Sequence, residues 1–372
     1  MKLLLKAFRL FLCALYAPLK LFPTNNNKIL FLSRQSNELT LDFKMLQEEL
    51  IRQDPKLKII SICKRSSDSK ADYISYGVAL FKSMYHLATS KVCVLDSYWP
   101  AACMLNHKDS LTIVQIWHAL GKIKQSGYQT LGKAGGRGRL IAEELRMHKN
   151  YDYIIAGGES WNEFYCASFG TTPDKLLNYG LPRIDYLLST VEDNKARIYE
   201  KYPEFREKKV LLYAPTFRRG IELNWKQLID HIDHNEYTLI VKGHPNQPLG
   251  KDVPWIYSCD EFKATELLSI CDYLITDYSA IAVEGAILNK KTLYFVYDYD
   301  EYNAKNGTNI KLFDEMPGCV FKDAESLSIA LQNPYRQDCL DSYRKKYLPN
   351  ELGTSTKKIV DLIISLKGNS NV

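Results

Sequence analysis

Short, nearly unbroken apolar runs alternate with helical stretches, and this alternation occurs twice along the chain. Lys28–Ser33, Lys58–Cys63, Lys91–Asp96, Leu111–Trp117 and Tyr151–Ala156 read as strands, with helices over Leu39–Arg52 and Tyr73–Thr89 between the first three. A charged stretch, Val191–Lys209, interrupts the pattern. It resumes with strands at Lys209–Tyr213, Tyr237–Val241, Tyr273–Thr276 and Thr292–Val296. Strands apolar throughout are covered on both faces, as in a parallel sheet wrapped by crossover helices. The pattern predicts an α/β protein of two Rossmann-like, doubly wound parallel-sheet halves facing across a cleft. A chain of 372 residues accommodates two domains of roughly 170–190 residues each. The expected division is a leader at 1–22, an N-terminal domain at 23–190 and a C-terminal domain at 191–372. The tail from Ser326 reads as helical, including Thr356–Lys367.

Composition narrows the function. Hydrophobic content of 46% and charged content of 25% exclude a disordered or fibrous chain. Nine cysteines without a CxxC pair exclude a disulfide scaffold and a zinc ribbon, and fit a reducing compartment. The net charge is +6, but Lys2, Lys6, Arg9 and Lys20 lie in the first 22 residues, which hold no acid. The nearly neutral remainder argues against nucleic-acid binding.

The leader, MKLLLKAFRLFLCALYAPLKLF, is too interrupted to span a bilayer: its longest uncharged run, Leu10–Leu19, is about half the ~20 residues required. Leu15-Tyr16-Ala17-Pro18 is a poor signal-cleavage site. Lys2, Lys6 and Arg9 form one helical stripe, while Leu4, Leu5, Phe8, Phe11, Leu12 and Leu15 fill much of the remaining circumference. That pattern favours an amphipathic helix on an anionic membrane surface; the alternative is a helix packed on the body.

Four polar clusters follow strands, where an open α/β sheet binds its ligand. Trp117-His118 ends one strand and opens a glycine-rich stretch bearing Lys122, Lys124, Lys133, Arg137 and Arg139, with no acid from Ser110 to Ala142. Such a loop suits anions, and is otherwise a solvated basic loop. An imidazole at this point suits a general base near neutral pH, or a structural role. Tyr213-Ala214-Pro215-Thr216-Phe217-Arg218 offers a hydroxyl and a guanidinium for phosphate. Val241-Lys242-Gly243-His244-Pro245 delivers a cation and an imidazole. In Thr276-Asp277-Tyr278-Ser279, Asp277 or Ser279 is placed to cap the following helix, whose N-terminus would meet a phosphate; Glu284, about 1.4 turns further on, would reach a ribose hydroxyl. Asp298-Tyr299-Asp300 is an acidic triplet with no His or Cys beside it, so no metal is assigned. There is no P-loop, no GxGxxG and no nucleophile elbow.

As a set, Trp117-His118 with Lys122, Tyr213 to Arg218, Gly243-His244-Pro245 and Thr276 to Ser279 resemble the CDP-glycerol:poly(glycerophosphate) glycerophosphotransferases of teichoic-acid synthesis. Gly180-Leu181-Pro182-Arg183-Ile184-Asp185 and Tyr302, Gly307 and Pro317-Gly318 agree. Two places depart: Ala119-Leu120-Gly121 stands where the family has Gly-Thr-Pro, and Ala280 and Val283-Glu284 where it has a second serine and Phe-Asp. The resemblance implies a GT-B fold. It implies transfer of glycerol phosphate or ribitol phosphate from a CDP-activated donor to an undecaprenyl-diphosphate-linked acceptor, at the cytoplasmic membrane face, without a cofactor. A homo-oligomer stays open. His118 and His244 would be catalytic, His118 taking the hydroxyl proton. Lys122, Thr216, Arg218, Lys242, Asp277, Tyr278, Ser279 and Glu284 would bind substrate. The competing readings are a GT-B glycosyltransferase or epimerase acting on a UDP-sugar, and a non-catalytic membrane scaffold.

Overall fold

The computed structural model describes residues 2–65, 70–134, 136–216, 226–243 and 255–368. Two compact units emerge: Met1–Ala119, Ser126–Asp185 and Glu351–Val372 form the first, Leu120–Gln125 and Tyr186–Asn350 the second.

The first unit is built on a six-stranded parallel sheet: β1 (Asn25–Ser33), β2 (Lys58–Cys63), β3 (Ser90–Leu95), β4 (Thr112–Gln115), β5 (Tyr153–Ile155) and β6 (Leu176–Leu177), in the order β2-β1-β3-β4-β5-β6. The chain goes from β1 to β2 at one edge, then returns to place β3 on the other side of β1. That reversal makes the carboxyl ends of β1 and β3 the topological switch point, where such sheets bind ligands. β3 is buried along its whole length. Helix α2 (Leu41–Gln53) covers one face through Phe43, Leu46 and Leu50, and Phe43 meets Phe31 of β1 edge-on at 4.9 Å. Each such side chain stabilises by about 1.5–3 kcal/mol when fully buried.

The second unit repeats the plan: β7 (Lys209–Tyr213), β8 (Tyr237–Val241), β9 (Ile256–Tyr257), β10 (Tyr273–Thr276), β11 (Lys291–Phe295) and β12 (Val320–Phe321), all parallel, in the order β12-β11-β10-β7-β8-β9. Its switch point lies between β7 and β10. Leu212, Ile240, Leu274 and Leu267 anchor a core on one side of this sheet. The charged stretch after residue 190 is the amphipathic helix Val191–Lys201, which sends Ile198 into that core.

The division departs from the expected 23–190 and 191–372: Leu120–Gln125 and the residues from Tyr186 belong to the second unit, and the chain from Glu351 returns to the first. The last helix, Ser355–Gly368, belongs to the first unit. It contacts β1, β3 and α2, and buries Ile359, Val360 and Ile363. Asp185 accepts from the amides of Ser355 (3.1 Å) and Thr356 (2.7 Å), satisfying two of the donors a helix start leaves open.

The leader forms helix α1 (Lys2–Leu19), which packs on helix α3 (Lys70–Thr89). Leu12 and Tyr16 face inward, and the Tyr16 hydroxyl donates to His107 Nδ1 at 2.9 Å. Leu4, Phe8, Phe11 and Leu15 remain exposed on α1. No helix among the described residues is long and apolar enough to cross a membrane.

Candidate functional site

At the switch point of the first unit, the carboxylate of Asp96, just beyond β3, is buried and accepts from Ser33 Oγ at the end of β1 (2.7 Å) and from Ser97 Oγ (2.9 Å). Burial pushes its pKa up to about 6; the two serine bonds only partly offset this. His118 lies against the same place: its Nδ1 is 3.0 Å from the Asp96 carbonyl oxygen. A carbonyl only accepts, so Nδ1 carries the proton and the acceptor lone pair of the ring lies on Nε2. Gln35 Nε2 is placed 3.1 Å from the same Nδ1; two donors cannot bond each other, so a protonated Nδ1 requires the Gln35 amide oxygen and nitrogen to exchange places.

The expected strand Leu111–Trp117 is shorter. β4 stops at Gln115, and Trp117 takes a left-handed conformation, φ 61°. For a residue with a Cβ this costs roughly 1–2 kcal/mol. The Trp117 amide donates to Gln115 Oε1 at 2.8 Å, and its indole lies tilted against the His118 ring, centroids 4.2 Å apart. His118 thus sits on a sharp turn, not at the end of a straight strand.

The first part of that stretch, Leu120–Gln125, is not a solvated loop. In the second unit, Gln125 N donates to Gly307 O (3.0 Å), Asn309 N to Ile123 O (2.8 Å) and Asn309 Nδ2 to Lys122 O (2.7 Å). Gly307, at φ 86°, provides a conformation disfavoured for other residues. Lys122 is buried, which lowers its ammonium pKa to about 7.

The switch point of the second unit is held by Asp277. Both carboxylate oxygens accept the Thr216 amide at 2.9 Å, across β7 and β10, and Thr276 Oγ1 donates to Ala214 O at 2.7 Å. Asp277 does not cap the following helix, and neither does Ser279. That helix, Ile281–Ile287, starts from Ala280 without a side-chain cap, because the Asp277 carboxylate is turned to the neighbouring strand end. Ser279 is partly exposed there, while Glu284 is buried one turn along. Tyr278 is fully buried, stacked on Tyr302 at 3.8 Å, with its hydroxyl donating to Asp298 Oδ1 at 3.3 Å: a packing position. Lys242 donates to the carbonyls of Ser258 (3.1 Å) and Cys259 (2.8 Å), so its ammonium secures the loop after β9. Arg218 and His244 lie outside the described residues.

The structure brings Thr216, Asp277 and Ser279 together at one switch point and sets His118 at the other. Asp96, Ser33, Gln35 and Gln115 were missed from sequence, since only the strand order shows that β1 and β3 are neighbours. Arg183 and Asp185, of the Gly180 to Asp185 segment, are structural: Arg183 grips the buried Asp42 of α2 through its amide (2.8 Å) and Nε (2.9 Å), and Asp185 caps the last helix. Asp298 and Asp300 are engaged by Tyr278 and Lys322.

Residues 15–365 match the family described as CDP-Glycerol:Poly(glycerophosphate) glycerophosphotransferase. The chain is 30% identical to the teichoic acid poly(ribitol-phosphate) polymerase of Bacillus spizizenii over 94% of its own length, spanning 58% of that protein. It is 28% identical to the teichoic acid ribitol-phosphate primase of the same species (93% of this chain, 92% of the primase). It is 30% identical to the teichoic acid glycerol-phosphate primase of Bacillus subtilis (78% and 77%). A solved structure of the wall teichoic acid polymerase TagF superposes with a TM-score of 0.70 at 20% identity, covering 99% of this chain and 97% of that one, which establishes the shared fold.

Proposed function

Because the chain belongs to the CDP-glycerol:poly(glycerophosphate) glycerophosphotransferase family, we propose that it transfers glycerol phosphate or ribitol phosphate from a CDP-activated donor to a hydroxyl of a lipid-linked acceptor, releasing CMP. The acceptor oxygen attacks the β-phosphorus. The bond from that phosphorus to the bridging oxygen breaks, and CMP leaves with the electron pair. The hydroxyl proton passes to His118 Nε2. The observation that carries this reading is the 3.0 Å contact of His118 Nδ1 with the Asp96 carbonyl oxygen, which favours a proton on Nδ1 and a basic Nε2.

Thr216, Arg218, His244 and Ser279 hold the pyrophosphate, while Lys242, fixing the loop after β9, and Lys122 add positive charge, and the cost of charge moving onto CMP falls accordingly. Asp277 fixes the Thr216 loop, Tyr278 packs beneath it, and Glu284 takes the cytidine ribose. The experiment is to incubate the purified protein with CDP-glycerol, CDP-ribitol and UDP-sugars and a lipid-linked acceptor, then identify the nucleotide released. CMP from either CDP-polyol supports the reading. UDP from a sugar nucleotide, or no release, overturns it.

The site of action in this reading is the cytoplasmic membrane face, with α1 lying on the lipid. Support comes from two neighbouring helices exposing apolar residues at the same spacing, Leu4, Phe8, Phe11 and Leu15 on α1 and Ile74, Val78, Phe81 and Tyr85 on α3, with Lys2 and Lys6 also exposed.

A further inference from the structure

We propose that Gln115 and Trp117 are positioning residues that set the direction and tautomer of the His118 imidazole; the catalytic part of this inference rests on His118 being the base. Trp117 is a bulky residue held at positive φ, a conformation that persists only where the surroundings impose it. Gln115 imposes it. Its side chain is fully buried, Oε1 accepts the Trp117 amide at 2.8 Å, and Nε2 donates to the Ser97 carbonyl at 3.3 Å. One glutamine therefore ties the turn after β4 to the end of β3. The His118 ring is tied to the adjacent residue, through Nδ1 and the Asp96 carbonyl at 3.0 Å. Both ends of the turn are thus anchored on two consecutive residues, Asp96 and Ser97, just beyond the neighbouring strand β3.

The indole closes the third side. It lies against the imidazole at 4.2 Å and is itself buttressed edge-on by Phe169 at 5.0 Å. In a straight continuation of β4, successive side chains would point to opposite faces. The left-handed Trp117 breaks that alternation and lets His118 reach back to the end of β3. Loss of the Gln115 bond releases the turn, frees the ring to rotate and removes the preference for a proton on Nδ1.

The test compares Gln115→Leu and Gln115→Glu with wild type in steady-state turnover of the CDP-polyol. In parallel, ring-nitrogen NMR of ¹⁵N-histidine protein is recorded, with His118 assigned by its loss in His118→Ala. Gln115→Leu should lower kcat by roughly 10- to 100-fold, as for a displaced catalytic group, with the donor KM nearly unchanged. It should also move the His118 signal from the Nδ1–H form toward a tautomer mixture. Gln115→Glu keeps an acceptor for the Trp117 amide but donates to the Ser97 carbonyl only when its carboxyl is protonated, so it should recover part of both, and more at low pH. Gln115→Met, close in volume, replaces Gln115→Leu if that variant does not fold. An unchanged His118 tautomer in the Leu or Met variant overturns the proposal. A normal kcat in either variant, with His118→Ala inactive, overturns its catalytic part. A fully active His118→Ala overturns the base reading instead, and the tautomer spectrum still decides whether Gln115 sets the ring.

Discussion

Asp277 receives the Thr216 amide on both carboxylate oxygens, 2.9 Å each, across the point where the second sheet reverses its strand order. Asp96 occupies the corresponding place in the first sheet, taking the Ser33 hydroxyl across β1 and β3. In each unit a buried aspartate closes the strand ends that a ligand would approach.

Asp277→Ala leaves the buried Thr216 amide without this acceptor. It should lower stability by about 1–3 kcal/mol, read from the urea midpoint, and weaken CDP-polyol binding. Asp277→Asn keeps one oxygen and should cost less than the alanine variant.

The Asp96 carboxyl, raised from its usual 3.8 to about 6, makes the folded state bind a proton more tightly than the unfolded chain. Stability contributed by this group therefore falls as pH rises from about 4 to 6, and the full penalty persists above 6. Asp96→Asn removes it. The variant should gain relative to wild type by up to about 3 kcal/mol at pH 8 and by little at pH 4, in denaturation at the two pH values.

Lys122, lowered to about 7 by burial, is half charged at neutral pH. If the donor diphosphate binds near it, affinity should fall as pH rises through 7, and Lys122→Met should both weaken binding and flatten that slope in calorimetric titrations. For folding, the unfolded chain holds the proton more tightly between about pH 7 and 10.5, so wild-type stability rises with pH across that window.

Helix α1 is held by the buried Tyr16, whose hydroxyl meets a His107 kept neutral, its pKa lowered by burial to about 4. Tyr16→Phe should cost about 1 kcal/mol and Tyr16→Ala about 3–5 kcal/mol in thermal or urea melts. Phe8→Glu with Phe11→Glu, both on the exposed face, should leave the melt unchanged and abolish sedimentation with phosphatidylglycerol vesicles.

Strands Lys209–Tyr213 and Tyr273–Thr276 were legible to the residue because near-continuous burial leaves an apolar run of the right length, and the edge strand Lys58–Cys63, only partly buried, was legible from its isoleucine-rich run alone. The two-residue edge strands at Leu176, Ile256 and Val320 were not, since a single pairing imposes no pattern. His118, Thr216 and Ser279 were legible as polar residues after strands. The functions of Asp277, Tyr278 and Lys242 in holding the loops were not, because their partners, Thr216, Tyr302 and the Ser258 and Cys259 carbonyls, are defined only once the sheet order is known. Trp117 shows the same limit: nothing local marks a tryptophan as left-handed until Gln115 and Ser97 are seen to hold it.

The last helix packs on the first sheet, so the ribosome must make the entire second unit before the first can be completed. Until Ser355–Gly368 emerges, the ground that Ile359, Val360 and Ile363 will cover stays bare, and a nascent chain halted before that point carries an unfinished N-terminal half.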